Sequence, residues 1–219
     1  MPEPLTMIGL SAGLGTLGFH LARRFFGTAK EIFDVLAGFV ALVVFLPLLA
    51  ICVLVVRLSS GGPVFFRQTR VGRDGQPFMM VKFRTMYVDR NSAGGGAWTE
   101  DDDPRLVPAC RWMRRTHMDE LPQLINVIKG EMSLVGPRPE RPEIVAELEK
   151  MCPGFCQRHI VRPGMTGLAQ VRNGYAATVE DSIEKLKTDM EYIEKPRWSA
   201  ELRILAGTLP KIFGDGKAR

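Results

Sequence analysis

Apolar residues are unevenly distributed along this chain. From Val35 to Val56 the run VLAGFVALVVFLPLLAICVLVV has no charged residue in 22 positions, more than the roughly 18 to 20 that mark a membrane-embedded helix. Pro47 interrupts it. A proline inside a helix has no amide proton to reach back four residues, and its ring crowds the carbonyl there, so the pattern predicts a kink near Val43 to Pro47. An earlier uncharged stretch, Pro4 to Ala22, reads as a glycine-rich membrane-associated helix, either a short span or an interfacial segment. It does not read as a signal peptide, because Arg23 and Arg24 follow its apolar part instead of preceding it. Its Gly13, Gly15 and Gly18 match GxGxxG, but no strand precedes them and no dinucleotide site is expected.

After the apolar run the period changes. VFFRQTRVG and PFMMVKFRTM flank Asp74-Gly75, which predicts a β-hairpin. NSAGGGA (Asn91 to Ala97) reads as a loop, and EDDDPRL as a helix start with Asp103 capping and Pro104 in the first turn. Capping and solvation are the stronger expectation for Asp101 to Asp103 than cation binding. Arg105 to Thr116 predicts a basic amphipathic helix with Leu106, Cys110 and Met113 on one side. Leu121, Leu124, Ile125 and Ile128 then fall at helical spacing, giving a helix opened by Pro122 and closed by Gly130. GPRPERPE (Gly136 to Glu143) is too proline-rich to be helical before Glu143, so it should form a rigid loop that holds Arg138. RPGMTGLAQV (Arg162 to Val171) reads as another loop. From Ser182 to Phe213, charge alternates with apolar residues, which fits one or two amphipathic helices. They either lie among lipid head groups, with Tyr192 and Trp198 at the interface, or pack on the core. The fold class is α+β and mostly helical: a membrane helix, a small β-hairpin and amphipathic helices around a catalytic domain.

Charge sharpens this picture. The net charge is +5, and the excess sits around Arg57, Arg67, Arg70, Arg73, Lys82 and Arg84 and around Arg105, Arg111, Arg114 and Arg115. Such clusters favour phosphates or anionic lipids as partners; no nucleic acid is expected. Arg23, Arg24 and Lys30 precede the apolar run and Arg57, Arg67, Arg70 and Arg73 follow it, so both ends carry the excess of a cytoplasmic side. That favours a re-entrant helix over a spanning one, although Glu31 and Asp34 reduce the bias at the first end. Cys52, Cys110, Cys152 and Cys156 make no disulfide framework and suit a reducing compartment. Cys152, Cys156 and His159 lack an evident fourth zinc ligand, so packing is their expected role.

THMDELPQL (Thr116 to Leu124) places Asp119 and Glu120 at or just before a helix N-terminus, where unpaired amides and the helix dipole favour carboxylates and phosphates alike. Alone, the pair reads as a cap. Its surroundings point to chemistry. Two ionised neighbours call for a nearby cation, and Mg²⁺ with its oxygen ligands suits them. Nearby arginines can hold phosphate oxygens in forked hydrogen bonds, and a carboxylate free of metal can attack phosphorus. Two other readings use the same residues: a Mg²⁺-dependent pyrophosphatase of nucleotide sugars, and a membrane-anchored anion-binding module, which has no use for the carboxylates.

KFRTM (Lys82 to Met86), DELPQLINVIKGEMSLVGPRPE (Asp119 to Glu140), RPGMTGLAQV and TDMEYIEKPRW together closely resemble the bacterial sugar transferases, monotopic phosphoglycosyl transferases that act on a polyprenol phosphate carrier. The resemblance runs from about Lys30 to Ile212. It implies a re-entrant membrane helix over 30–58, a catalytic domain over 59–212 on the cytoplasmic face of the bacterial inner membrane, an extension at 1–29 and a tail at 213–219. The implied reaction moves a phosphosugar from a UDP-sugar to undecaprenyl phosphate and releases UMP, in the first membrane step of glycan or exopolysaccharide assembly. By motif position Asp119 is the nucleophile and Glu120 the Mg²⁺ ligand. Lys82, Arg114, Arg138 and Asp189 are carried over as phosphate-binding or site-organising residues, with Arg84, Pro137, Pro139, Glu140 and Gln170 beside them in the substrate-binding motifs. Leu46-Pro47 stands where many members have Ser-Pro, so no hydroxyl is present to satisfy a carbonyl freed by the proline. A homodimer is compatible with the resemblance, and no segment carries a sugar-specificity signal.

Overall fold

The computed structural model describes residues 15–87, 103–173 and 179–213. Residues 1–14, the NSAGGGA loop, Asp101, Asp102 and the tail after Phe213 lie outside the described residues. Helix α1 (Gly15–Val44) and helix α2 (Leu46–Ser60) meet at Phe45 with a bend of 63°. The bend falls where Pro47 predicts it, with the proline in the first turn of α2. No single described helix is long and apolar enough to cross a membrane, whereas this bent pair is so by length and composition. Gly61, at φ +62°, ends α2 in the left-handed conformation that glycine adopts without strain.

The hairpin forms as expected: β1 (Phe65–Val71) pairs antiparallel with β2 (Pro77–Phe83), and Asp74 and Gly75 take positive φ at its turn. Two short helices follow, α3 (Arg111–Arg115) and α4 (Leu124–Ile128), each entered through a 3₁₀ turn, Pro108–Cys110 and Met118–Gln123. The single helix expected over Arg105 to Thr116 is therefore cut to Arg111–Arg115, because Leu106 is drawn into a bridge with Met86 before it; Leu106, Cys110 and Met113 are all buried. Asp103 does not start a helix. Its carboxylate accepts the Arg105 amide at 2.9 Å and pairs with the guanidinium, closing a turn that lets Met86 bridge Leu106. Nor does Pro122 open a helix: it lies inside the Met118–Gln123 turn, because His117 (φ +54°) reverses the chain earlier.

RPGMTGLAQV is more ordered than a loop. It contains β4 (Gly164–Thr166), parallel to β3 (Ser133–Val135), and then helix α6 (Leu168–Arg172). The helix α5 (Pro142–Met151) lies between them in sequence, starting one residue before the Glu143 limit set by the prolines. Backbones approach so closely beyond β3 that a Cβ on Gly136 would stand 2.6 Å from the Arg162 carbonyl and 2.9 Å from the Gly164 nitrogen. Helices α7 (Val179–Glu194) and α8 (Trp198–Phe213) complete the body. Tyr192 is buried in the core with Val135, Ile193 and Ile204, not set at an interface. Its hydroxyl lies 2.6 Å from Glu201 Oε1 and 3.1 Å from the Val135 carbonyl, the partners a buried phenol requires.

The bent helix pair is fastened to this body at both ends. On α1, Asp34 accepts from Ser133 Oγ (2.7 Å) and the Leu134 amide (3.3 Å), Lys30 reaches Glu201 (2.7 Å), and Gly38 lets Val127 approach. On α2, Cys52 and Val56 are buried with Phe83, Val107, Cys110 and Met113. Between them, Val43, Val44, Phe45 and Leu46 are exposed at the bend. The glycine contact gives a direct check. Gly136→Ala should destabilise the fold by about 1 to 3 kcal/mol, the usual result of overpacking against atoms that cannot yield, and an unchanged thermal midpoint would contradict the close approach.

Candidate active site

Three segments distant in sequence bring the site together. Met80 and Lys82 share one face of β2; Met80 packs with Val127 and Met132, so Lys82 is turned toward the residues before α4. Asn126 fixes the register of this contact. Its amide accepts from the Val81 nitrogen (3.2 Å) and donates to the Met79 carbonyl (2.8 Å), standing in for a neighbouring strand. The Met118–Gln123 turn then carries Asp119 and Glu120 in its first turn, and the Glu120 amide donates to the His117 carbonyl at 3.0 Å.

The third segment is the loop Gly136 to Glu140. Pro137 and Pro139 lack amide protons, so the loop is held largely by its carbonyls. Four of the five are taken: Pro137 by the Gly164 amide (2.9 Å), Arg138 by Arg158 Nη2 (2.9 Å), Pro139 by Arg70 Nη1 (3.1 Å) and Glu140 by the Val71 amide (2.9 Å). The expected rigid loop is therefore present, and its side chains alternate, with Pro137 and Pro139 buried and Arg138 and Glu140 half-buried.

Glu120 receives both cations. Lys82 Nζ lies 2.6 Å from Oε1, and Arg138 forks onto Oε1 at 2.7 Å and Oε2 at 3.3 Å. Burial pushes the Glu120 carboxyl up, but Arg138 and Lys82 overcome that and hold it well below the usual carboxylate range. Asp119 is treated differently: no described residue gives its carboxylate a hydrogen bond or ion pair. Burial, and then the charge of Glu120, push it up to about 7 against the attraction of Lys82, Arg114 and Arg138. Burial also lowers the Lys82 ammonium, opposed by Glu120, and lowers the His117 imidazole beside them.

The family model of the bacterial sugar transferases matches residues 25–215. The chain belongs to this family. It is 39% identical over 203 residues to a UDP-N-acetylgalactosamine-undecaprenyl-phosphate N-acetylgalactosaminephosphotransferase of Aeromonas hydrophila, covering 93% of this chain and 48% of that protein. It is 38% identical over 215 residues to a UDP-glucose:undecaprenyl-phosphate glucose-1-phosphate transferase of Caulobacter vibrioides, covering 96% of this chain and 80% of the relative. An exopolysaccharide production protein of Rhizobium leguminosarum is 38% identical over 193 residues, which cover 86% of this chain and 96% of that one. The chain thus spans about half of the first of these relatives and most of the other two.

Of the residues the sequence nominates in this sugar transferase family member, Asp119, Glu120, Lys82 and Arg138 come together, with Arg114 at the end of α3 close enough to act on Asp119. The others are engaged elsewhere. Arg84 donates to Ser60 Oγ (2.6 Å) and to the Ser60 carbonyl (3.3 Å), tying β2 to the end of α2. Glu140 pairs with Lys185 at 2.7 Å and Arg70 at 3.6 Å, Gln170 donates to the Met165 carbonyl at 3.4 Å, and Asp189 pairs with Arg158. Leu46 and Pro47 lie at the bend. Asn126 and Arg158 escaped the sequence reading; Arg158 sits inside CPGFCQRH, where the cysteines and His159 drew attention instead.

Among the described residues no three His, Cys, Asp or Glu side chains form a metal cage. The donor set fits Mg²⁺ in the way that cation usually binds, through one or two carboxylates with water and substrate phosphates completing its shell. Of the two Glu120 oxygens, Oε2 has the longer contact to Arg138.

The raised Asp119 carboxyl has a consequence for stability. The folded protein keeps a proton there that the unfolded chain releases, so stability falls as pH rises from the ordinary 3.8 to about 7. Asp119→Asn should match the wild type near pH 4 and be more stable at pH 8 by on the order of 1 to 2 kcal/mol, allowing for a position that is only partly buried. Thermal unfolding in nanodiscs reads the difference, and its absence at pH 8 would mean that the carboxylate is not held unfavourably.

Proposed function

We propose that this chain transfers a phosphosugar from a UDP-sugar to undecaprenyl phosphate, through a covalent intermediate on Asp119, at the cytoplasmic face of the bacterial inner membrane. The observation that carries the reading is the unequal treatment of two adjacent carboxylates. Glu120 is committed to Lys82 and Arg138, while Asp119 is left without a hydrogen-bonding partner among the described residues, in the field of three cations. Such a division of environments separates the roles of paired acids. The names of the relatives describe transfers onto undecaprenyl phosphate, of N-acetylgalactosamine phosphate in one and glucose 1-phosphate in another. Similar identity to both means that overall likeness does not select the sugar.

In the first half-reaction the deprotonated Asp119 oxygen attacks the sugar-linked phosphorus, forming an acyl phosphate. The bond from that phosphorus to the bridging oxygen breaks, and UMP leaves with the electron pair. Lys82, Arg114 and Arg138 provide positive charge near the phosphoryl oxygens as negative charge spreads over them. In the second half-reaction an oxygen of the carrier phosphate attacks the same phosphorus, the bond to Asp119 breaks, and the carboxylate is regenerated. The sugar is then joined to the lipid through a diphosphate. Splitting the transfer lets a soluble donor and a lipid acceptor use one site in turn. Glu120 would hold a Mg²⁺ ion, which would supply further charge neutralisation.

A re-entrant α1–α2 hairpin is part of this reading. Its support is that Asp34 and Gly38 on one leg and Cys52 and Val56 on the other contact the same body, while the bend is exposed and apolar. From Asp34 to Val44 a helix rises about 15 Å, half of a hydrocarbon core of ~30 Å. Trp198, Leu202 and Leu209 form an exposed apolar stripe on α8 and support an interfacial placement for that helix.

Purified Asp119→Asn protein should release UMP at least on the order of 10³-fold more slowly than wild type over a panel of UDP-sugars, and wild type should trap labelled phosphosugar on Asp119 when the carrier is withheld. Undiminished turnover of the variant would overturn the intermediate. Free sugar phosphate without lipid product would indicate hydrolysis instead. For the topology, cysteines replacing Thr28 and Arg67 should react with an impermeant maleimide from the same side of the membrane; labelling from opposite sides would establish a span.

A further inference from the structure

We propose that Arg158 and Asp189 are a positioning pair, set behind the active site, that fixes Arg138 through its backbone and thereby aims its guanidinium at Glu120. The proposal rests on the transfer reaction above and extends it to residues that do not touch the carboxylates. Arg158, in the 3₁₀ turn Phe155–Ile160, is 2% exposed, and Asp189 on α7 is 2% exposed. Their ion pair measures 2.7 Å, and the Phe155 ring covers the guanidinium at 4.9 Å. Burying two charges this completely is a poor way to gain stability, since desolvation offsets most of their attraction. The pair is placed for another purpose: the same Arg158 nitrogen, Nη2, that meets Asp189 donates to the Arg138 carbonyl at 2.9 Å.

Arg138 is thus held at both ends, its carbonyl by Arg158 and its guanidinium by Glu120. The flanking prolines make the backbone hold important, because neither residue 137 nor residue 139 has an amide to contribute. Of the four carbonyl partners along the loop, those at Pro137 and Glu140 are backbone amides, and Arg70 serves Pro139. Arg158, by contrast, holds the carbonyl of the residue that carries the catalytic fork with a buried side chain. Helix α7 braces the same loop a second time, one turn earlier, through Lys185 and Glu140 at 2.7 Å. The chain of contacts runs from α7 through Arg158 and Arg138 to Glu120. It acts on geometry, and displacement by about an ångström at a reacting centre is enough to slow turnover ~100-fold.

The decisive variant removes both charges together, Arg158→Met with Asp189→Leu, so that no buried charge is stranded. A protein with a near wild-type thermal midpoint should show kcat for UMP release reduced about 10- to 100-fold and KM for the UDP-sugar changed less than about threefold. Arg158→Lys keeps one nitrogen able to bridge both oxygens and should retain kcat within about fivefold of wild type. A folded neutral pair with wild-type kcat, or a loss confined to KM, overturns the proposal. Should that pair not fold, Arg158→Gln with Asp189→Asn is scored in the same way; a chain that folds with neither marks the pair as structural and also overturns it. Amide exchange at Arg138 and Glu140, followed by mass spectrometry, needs no turnover and should accelerate in the neutral pair. Wild type that releases no UMP from any UDP-sugar defeats the transfer reading, whereas unchanged exchange defeats the positioning pair.

Discussion

The fold is organised around the ionised carboxylate of Glu120, clamped between Lys82 and Arg138 at 2.6 and 2.7 Å. Two acids adjacent in sequence repel, and burial works against both, so keeping one of them ionised requires that the protein itself neutralise it. Committing both cations to Glu120 leaves Asp119 raised and, among the described residues, without a hydrogen-bonding partner. Much of the surrounding structure serves this asymmetry. The hairpin and Asn126 deliver the lysine; the proline-flanked loop, held by its carbonyls, delivers the arginine.

The bent apolar helix pair is mechanically continuous with that clamp. Asp34, 1% exposed on α1, binds Ser133 and Leu134 of β3, and two residues further on β3 runs into the loop that carries Arg138. Lys30 joins the same helix to Glu201 on α8, and Glu201 in turn meets Tyr192 on α7. Tyr192 lies on the helix that also presents Lys185 and Asp189. In the proposed membrane setting, one polar network therefore sets the height of the site relative to the bilayer and braces the loop of the site from behind. An enzyme that must bring a lipid phosphate to a water-soluble donor needs both.

How much of this could be read from the chain depends on the range over which each feature is decided. The bend, the hairpin turn at Asp74-Gly75 and the non-helical GPRPE segment were legible, because proline and glycine act on their own few residues. The carboxylate pair stood out beside its neighbouring arginines, and the family resemblance named Lys82 and Arg138, which the fold brings to Glu120. Expectations at chain reversals fared less well. Asp103 closes a turn and not a helix, and Pro122 falls within a turn begun by the left-handed His117, since both depend on what the backbone meets next.

The sequence by itself determined the apolar hairpin, its bend, the β-hairpin, the mostly helical character and the identity of the acids and bases at the site. Only the tertiary structure decided which of them meet. Lys82 is 38 residues from Glu120 and Arg138 is 18 away; Asp34 reaches Ser133 across 99. β3 and β4, three residues each, exist because they find each other and not because either has a strand pattern of its own. Tyr192 resembled an interfacial aromatic and became a core residue once Val135 and Glu201 supplied its partners. Arg158 had no local signal at all. Local steric preferences extend over a turn or two, whereas the partner of a buried charge is chosen by the packing of elements remote in the chain, and that choice bonded Lys82 and Arg138 to Glu120 and not to Asp119.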